Sequence, residues 1–336
     1  MKAVICDQPG TLSLIDRAEP QPKDGEVLVR IRRIGICGTD FHIFQGKHPF
    51  LEYPRVMGHE LSGEVASAPS GSTLRTGEPV YIVPYLSCGH CIACRKGLTN
   101  CCQSISVLGV HQDGGMAEYL AVPEANVIPT GGISLDDAAM IEFLAIGAHG
   151  VRRGGVGSAD RVLVVGSGPI GMSAIIFAKA QGAHVTVMDM RADRLNFTTE
   201  RLGADHGLTA TDDAEETLRA LTGGDGFDVV IDATGNSAAM QRGFDFVAHG
   251  GRYVLLSVVR DAITFSDPEF HKRETTLFAS RNAQPRDFAT VVEQMIAGKV
   301  PTRALNTHRG ALRDLPSLMP GWLKPEAGVI KAIVEI

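Results

Sequence analysis

Two short stretches in the first fifth of the chain bring together residue types that hold metals. Cys37-Gly38-Thr39-Asp40-Phe41-His42 supplies a thiol, an acid and an imidazole, and Gly58-His59-Glu60 follows after a turn-rich segment. A soft sulfur, a neutral imidazole and a carboxylate, with a fourth position left open, are the usual composition of a catalytic zinc. Cys37 and His59 are the firmest ligands on this reading, and a neighbouring acid suits the need to orient the imidazole. Taken singly, a buried cysteine and a loop histidine are ordinary, so the weight rests on the combination. A denser set follows in Cys88-Gly89-His90-Cys91-Ile92-Ala93-Cys94 and then Cys102. Four thiolates at short spacing close a tetrahedral zinc with no open position, which is a structural site that staples a loop. Cys101 adjoins Cys102 as an alternative fourth ligand. A redox dithiol is the competing use of a CxxC pair, but such a pair ordinarily stands alone at a helix start.

A third constellation is Gly166-Ser167-Gly168-Pro169-Ile170-Gly171, placed directly after the apolar run 162–165 and opening a helix. Glycines there allow a tight turn, close approach of a pyrophosphate, and close packing of helix on strand, while the helix N-terminus offers unpaired N–H groups. Asp189 ends the next strand-like run, near the spacing of about 20 residues expected of the acid that accepts both adenosine ribose hydroxyls. A carboxylate there repels a 2′-phosphate and favours NAD over NADP. Arg191 and Arg194 pull the other way, and Arg194 is itself a candidate contact to the cofactor.

These groups need elements to hold them. With 336 residues the chain exceeds the size at which one core keeps growing, so two domains are expected. Strand-like runs at 27–31, 63–66, 80–83 and 116–120, separated by Gly, Pro and Asp, read as an all-β module. From residue 161 the texture changes to strands at 162–165, 185–188, 229–232 and 253–258 alternating with helices near 170–181, 191–202 and 238–248. That alternation is the mark of a doubly wound parallel sheet. A helix near 286–296 and a strand-like tail at 329–336 follow, and the tail is expected to return to the first domain. The fold class is therefore α/β.

Composition sets the bounds on partners. The net charge of −6, from 32 basic and 38 acidic residues, makes no polyelectrolyte surface for nucleic acid or anionic membrane, so a small-molecule substrate is expected. The most apolar stretch, 162–180, is broken by Gly166, Gly168, Pro169 and Gly171 and does not read as a membrane span. The first residues run straight into a strand-like stretch with no export signal, which points to the cytoplasm, where the seven cysteines would stay reduced.

The Cys37-Gly-Thr-Asp segment, Gly58-His59-Glu60, the Cys88/91/94/102 lobe, Glu142 and the glycine fingerprint, in that order along the whole chain, resemble a zinc-containing medium-chain dehydrogenase. The resemblance implies a GroES-like catalytic domain over 1–143 with a structural zinc lobe at 84–102, a Rossmann NAD-binding domain over 144–281, and a return to the catalytic domain over 282–336. The active site is then expected in the cleft between the domains. It implies two zinc ions per chain, the catalytic one held by Cys37, His59 and a carboxylate from Glu60 or Glu142. It further implies that Thr39 hydrogen-bonds the reacting oxygen, that His42 passes its proton to solvent, and that Asp40 orients His59. A homo-oligomer, dimer or tetramer, is the family's usual form.

Within that family the segments 107–115, 265–272 and 280–283 are most similar to the sorbitol, threonine and hexonate branch, and above all to hexonate 5-dehydrogenases. The expected reaction is oxidation of a secondary alcohol of a sugar acid such as L-galactonate or L-gulonate, at C5, with hydride passing to NAD. A sugar acid also needs a cation for its carboxylate, preferably a planar guanidinium. Arg281, just past the strand-like run 276–279, is the candidate, with His111 and Lys47 as weaker polar contacts. The alternatives are a neutral polyol or L-threonine as substrate, or a zinc-stabilised NAD-binding sensor without turnover.

Overall fold

The computed structural model describes residues 1–336 except 49, 50 and 212. The chain divides into two compact units, one of Met1–Glu142, Val292–Gly298 and Thr302–Ile336, the other of Phe143–Val291 and Lys299–Pro301.

The first unit is built on a seven-stranded sheet in which Val127–Pro129, Pro79–Ile82, Glu60–Ser67, Glu26–Ile36, Lys331–Glu335 and Asn306–Ala311 lie in that order, with Tyr119–Pro123 also paired to Glu26–Ile36. Glu26–Ile36 is the spine because its apolar positions, Val27, Val29, Ile31 and Ile34, are fully buried. The tail strand Lys331–Glu335 pairs antiparallel with it, Ala332 opposite Ile36. Four of the five tail-strand residues are buried, including the lysine at its head.

The second unit carries a six-stranded sheet whose pairs are all parallel, in the order His206–Thr209, His184–Asp189, Arg161–Val165, Phe227–Asp232, Val247–Leu255, Thr276–Ala279. The inner strands are continuous apolar runs because helices cover a parallel sheet on both faces. In chain order the strands read 3-2-1-4-5-6, and the direction of winding reverses between Arg161–Val165 and Phe227–Asp232. Ligands of such sheets bind outside the carboxyl ends of the strands at that reversal. Asp189, Asp232 and the residues after Ala279 therefore share the ligand edge.

The structure departs from the sequence expectations in three places. The helix expected over 238–248 ends at Arg242, and the next strand begins at Val247 rather than 253. Tyr253 explains the early stop, since its buried hydroxyl donates to the carbonyl of Met240 at 2.8 Å and closes the helix end. His206–Thr209 forms an edge strand that its sequence, His-Gly-Leu-Thr, does not announce. The second unit also runs past residue 281 to Val291. Asp287, in the first turn of Pro285–Ile296, lies 2.8 Å from His149 Nδ1 and accepts from Arg152 Nε at 2.6 Å, which ties this helix to Ile141–Arg153. Burial opposes the charge on Asp287, but His149 and Arg152 outweigh it and hold the carboxyl at about 2. Among the described residues no helix is long and apolar enough to cross a membrane.

Candidate active site

Strand register assembles the first metal-binding set. Gly35 lies opposite Glu60 in the antiparallel pair of Glu26–Ile36 with Glu60–Ser67, so Cys37, one residue beyond one strand, meets His59, one residue before the other. Ligand atoms of Cys37, His59 and Glu60 all lie within 4.8 Å of one another. His59 and Glu60 are buried and Cys37 is half-buried. Cys37 heads the helix Gly38–Phe44, whose Asp40 turns back into the same place. Asp40 Oδ2 accepts from the Cys37 amide at 2.9 Å and Oδ1 from the Gly58 amide at 3.3 Å. Its approach to His59 Nδ1 is 3.9 Å, too long for a hydrogen bond. The carboxylate thus fixes the two backbone segments that carry the thiol and the imidazole. Burial disfavours a charge on His59, but Cys37 and Asp40 drive its pKa well above the ordinary value.

Glu60 has a partner that sequence reading missed. Lys331 Nζ sits 2.7 Å from both carboxylate oxygens and 3.3 Å from the Ile36 carbonyl, with both side chains essentially inaccessible. Gly35 makes room for this pair, because a Cβ there would lie 2.1 Å from Glu60 Oε2. The third acid, Glu142, is buried at the head of Ile141–Arg153; its Oε1 accepts from the Tyr85 hydroxyl and its Oε2 has no hydrogen-bond partner. Burial raises its pKa. His59 Nδ1 and Glu142 Oε2 are thus buried polar atoms without hydrogen bonds, which are costly unless something else satisfies them. A sulfur, an imidazole nitrogen and a carboxylate oxygen in one pocket, with such atoms left over, fit a zinc ion.

The second set is more regular. Sulfurs of Cys88, Cys91, Cys94 and Cys102 cluster, with Cys88 to Cys94 at 4.0 Å and Cys91 to Cys94 at 3.5 Å. The edge of a tetrahedron built from Zn–S bonds of about 2.3 Å is about 3.8 Å. Backbone amides of Cys88 and Cys91 donate to the sulfurs of Cys102 and Cys88 at 3.3 and 3.4 Å. Such donors favour thiolate, and the Cys91 thiol is lowered to about 6 by amides of Cys94 and Gln103, whereas burial and Cys91 push Cys94 up to about 11. Cys101 is exposed and outside the cluster, which leaves Cys102 as the fourth sulfur.

The glycine fingerprint bridges the strand Arg161–Val165 and the helix Pro169–Ala180. Gly166 has a φ of +92°, and a Cβ on Gly171 would lie 1.8 Å from the Gly166 carbonyl, so the helix can pack this closely only with glycine at both. A Cβ at Gly168, the N-cap, would meet nothing within 4 Å, leaving open space where a pyrophosphate could approach. Pro169 stands at the first helical position, and the amides of Ile170 and Gly171 in that first turn have no acceptor within the helix. At the neighbouring strand end Asp189 Oδ2 accepts from the Ser167 amide and hydroxyl at 2.6 and 2.7 Å. Donor set and open cradle fit a dinucleotide.

Known proteins agree with this geometry. The alcohol dehydrogenase GroES-like domain family matches residues 23–132, and the zinc-binding dehydrogenase family matches residues 169–297. The chain is 46% identical over 310 residues to an L-galactonate-5-dehydrogenase of Escherichia coli K12, covering 92% of this chain and 91% of that protein. The chain belongs to the zinc-dependent alcohol dehydrogenase family. A 2-dehydro-3-deoxy-L-galactonate 5-dehydrogenase of Pseudoalteromonas atlantica is 30% identical, with 94% of this chain and 92% of that protein covered. Among solved structures, an alcohol dehydrogenase of Escherichia coli CFT073 in complex with NADH superposes with a TM-score of 0.94 at 30% identity, covering 100% of this chain and 99% of that one.

The remaining candidate residues of this dehydrogenase are more exposed. Thr39 is half-buried, and His42 lies on the open face of its helix, where partial burial and the Lys47 charge lower its pKa. Lys47 and His111 are exposed; His111 Nδ1 accepts from the Val107 amide at 3.1 Å. His48, not singled out from sequence, is half-buried, and its pKa is lowered by burial and then by His111, His42 and His59, so four imidazoles share one neighbourhood. Arg281 is exposed just after Thr276–Ala279, on the ligand edge of the parallel sheet. On either side of it Ser280 Oγ and Asn282 Nδ2 are buried without hydrogen-bond partners, and Asn282 has a left-handed φ of +52°. Strained polar residues of this kind gather at ligand sites. No spacing rule signals any of them.

Proposed function

We propose that this dehydrogenase oxidises a secondary alcohol of a hexonate, L-galactonate or L-gulonate at C5, to the ketone, with hydride passing to C4 of the nicotinamide of NAD. The observation that carries the chemistry is the Cys37, His59 and Glu60 set, drawn within 4.8 Å in a buried pocket. The substrate class is supported by the 46% identity to an L-galactonate-5-dehydrogenase.

Cys37, His59 and a carboxylate oxygen of Glu60 hold the catalytic zinc, with Glu142 offering a further carboxylate oxygen in the same pocket; Cys88, Cys91, Cys94 and Cys102 hold the structural one. Zinc in the first site supplies Lewis acidity, which lowers the pKa of an alcohol enough for its oxidation near neutrality. Lys331 neutralises Glu60 and keeps it in place, and Asp40 pins the Cys37 and Gly58 backbones. Thr39 accepts the proton of the substrate hydroxyl and hands it on to His42, whose lowered pKa keeps the ring neutral and able to take it to solvent. Asp189 accepts the adenosine ribose hydroxyls, and Gly166, Gly168, Pro169, Ile170 and Gly171 let the pyrophosphate approach the helix N-terminus. Arg281 grips the substrate carboxylate with its planar fork. The chain works as a homo-oligomer on a small-molecule substrate in the cytoplasm.

The test is NADH formation, followed at its absorbance, with L-galactonate, L-gulonate, sorbitol and L-threonine, each with NAD and NADP. The expected result is a kcat/KM for a hexonate with NAD at least about tenfold above the other pairs, one bidentate contact being worth that much. Preference for sorbitol or threonine would overturn the substrate, and no turnover with any alcohol by zinc-replete protein would overturn the reaction.

A further inference from the structure

We propose that two residues, Ser167 and Asp193, set the choice between a ribose 2′-hydroxyl and a 2′-phosphate by holding Asp189 and Arg191 in place. The inference rests on the NAD-linked reading above and goes beyond it, because the fingerprint names the acid but not what fixes it.

Asp189 does not hang free at its strand end. Its Oδ2 takes the Ser167 amide and hydroxyl at 2.6 and 2.7 Å, and its Oδ1 takes the Arg191 amide at 2.8 Å. Ser167 is fully buried, so its hydroxyl has no water to turn to and stays on the carboxylate. Three donors fix the plane of the carboxylate, leaving acceptor capacity on Oδ1 for a ribose hydroxyl. A carboxylate locked in this way meets an incoming phosphate with like charge and cannot swing aside.

Beside it stands the group that would welcome a phosphate. Arg191 is the N-cap residue of the helix Ala192–Leu202, two residues after the ribose acid. Guanidinium is the preferred partner of a 2′-phosphate because its planar fork matches two oxygens. Here the fork is already spent: Nε and Nη2 donate to the two carboxylate oxygens of Asp193 at 3.0 and 2.7 Å. Arg194, the other cation of this turn, is buried. Because Arg191 and Asp193 are 39% and 61% exposed, the pair is modest in strength. Its consequence is one of direction, since it parks the only exposed cation of the turn and adds a second negative charge next to the 2′ position. Ser167 and Asp193 are therefore positioning residues, one for the acid that rejects the phosphate and one for the cation that would accept it.

The experiment is a pair of titrations, NADH and NADPH, into zinc-replete wild type, Ser167→Ala, Asp193→Asn and the double variant, read as dissociation constants from nucleotide fluorescence and calorimetry. Asp193→Asn is expected to tighten NADPH about fivefold while NADH stays within about twofold, and the gain should shrink in about 0.5 M salt. Ser167→Ala is expected to narrow the NADPH to NADH ratio of dissociation constants by about fivefold, mostly by weakening NADH, as one lost hydrogen bond to a charged group does. In the double variant the two changes in the ratio should multiply. A merely structural role would weaken both nucleotides alike and leave the ratio where it was, and that outcome, or no change at all, overturns the inference. Wild type that binds neither nucleotide would instead overturn the dinucleotide reading itself, before any variant is compared.

Discussion

The two candidate metal-binding sets bring thiols and their companions together in opposite ways. The Cys88 lobe is local: all four sulfurs come from a segment of fifteen residues, 88–102, and the backbone amides of that same segment stabilise them. The Cys37 set is assembled from afar. Its thiol and imidazole come from the ends of two paired strands, its carboxylate is neutralised by a lysine 271 residues further on, and Glu142 and Tyr85 close in from other elements. A local set can staple a loop and little else, since four sulfurs leave no room for a reactant. A set drawn from distant strands can leave one side open, at the cost of depending on the fold to hold buried charges together.

That contrast can be broken most forcefully at Cys37. Replacing it with alanine should lower turnover by about a thousandfold or more and remove one zinc per chain, because the electrophile goes with its ligand. Metal analysis and steady-state NADH formation check this, and a variant retaining both the metal and wild-type turnover would sink the assignment. Next comes Lys331→Ala, which removes the ammonium held against the buried Glu60 carboxylate. Turnover should drop about 10- to 100-fold, as for other groups that orient metal ligands, and stability by about 3–5 kcal/mol. The double variant Glu60→Gln with Lys331→Met sharpens the point, since it should recover most of the thermal stability but not the turnover; recovery of both would mean the pair is only structural. The smallest effect on turnover is expected at the other set. Cys102→Ala should cost the structural zinc and expose 88–102 to proteolysis while kcat stays within about threefold, local opening being confined to the lobe. A collapse of kcat in a variant whose remaining zinc is intact would show that the two sets are not independent.

What the sequence disclosed follows the same division. The Cys88 cluster, the glycine turn and the position of Asp189 at its strand end were legible because each is defined by spacing along a short segment. The parallel sheet was legible through apolar runs that recur between helices. Lys331 was not, because nothing in Lys-Ala-Ile-Val distinguishes a lysine that enters the core from one that leaves it; only pairing with Glu26–Ile36 decides. Tyr85, His48, Ser280 and Asn282 were hidden for a related reason, their roles being set by what the fold brings alongside. Asp40 was half-read: its place beside the metal-binding residues was visible, but its hydrogen bonds go to backbone amides that no motif specifies. The helix that stops at Arg242 failed because a long-range contact, the Tyr253 hydroxyl on the Met240 carbonyl, overrides local preference.

The pairing of Lys331 with Glu60 also imposes an order of events on synthesis. Glu60 leaves the ribosome early and its counter-ion late, after the whole of the parallel-sheet unit between them has been made. A growing chain can therefore collapse its first strands around the thiol and imidazole, yet the ammonium that neutralises Glu60 joins them only when the tail strand pairs with Glu26–Ile36.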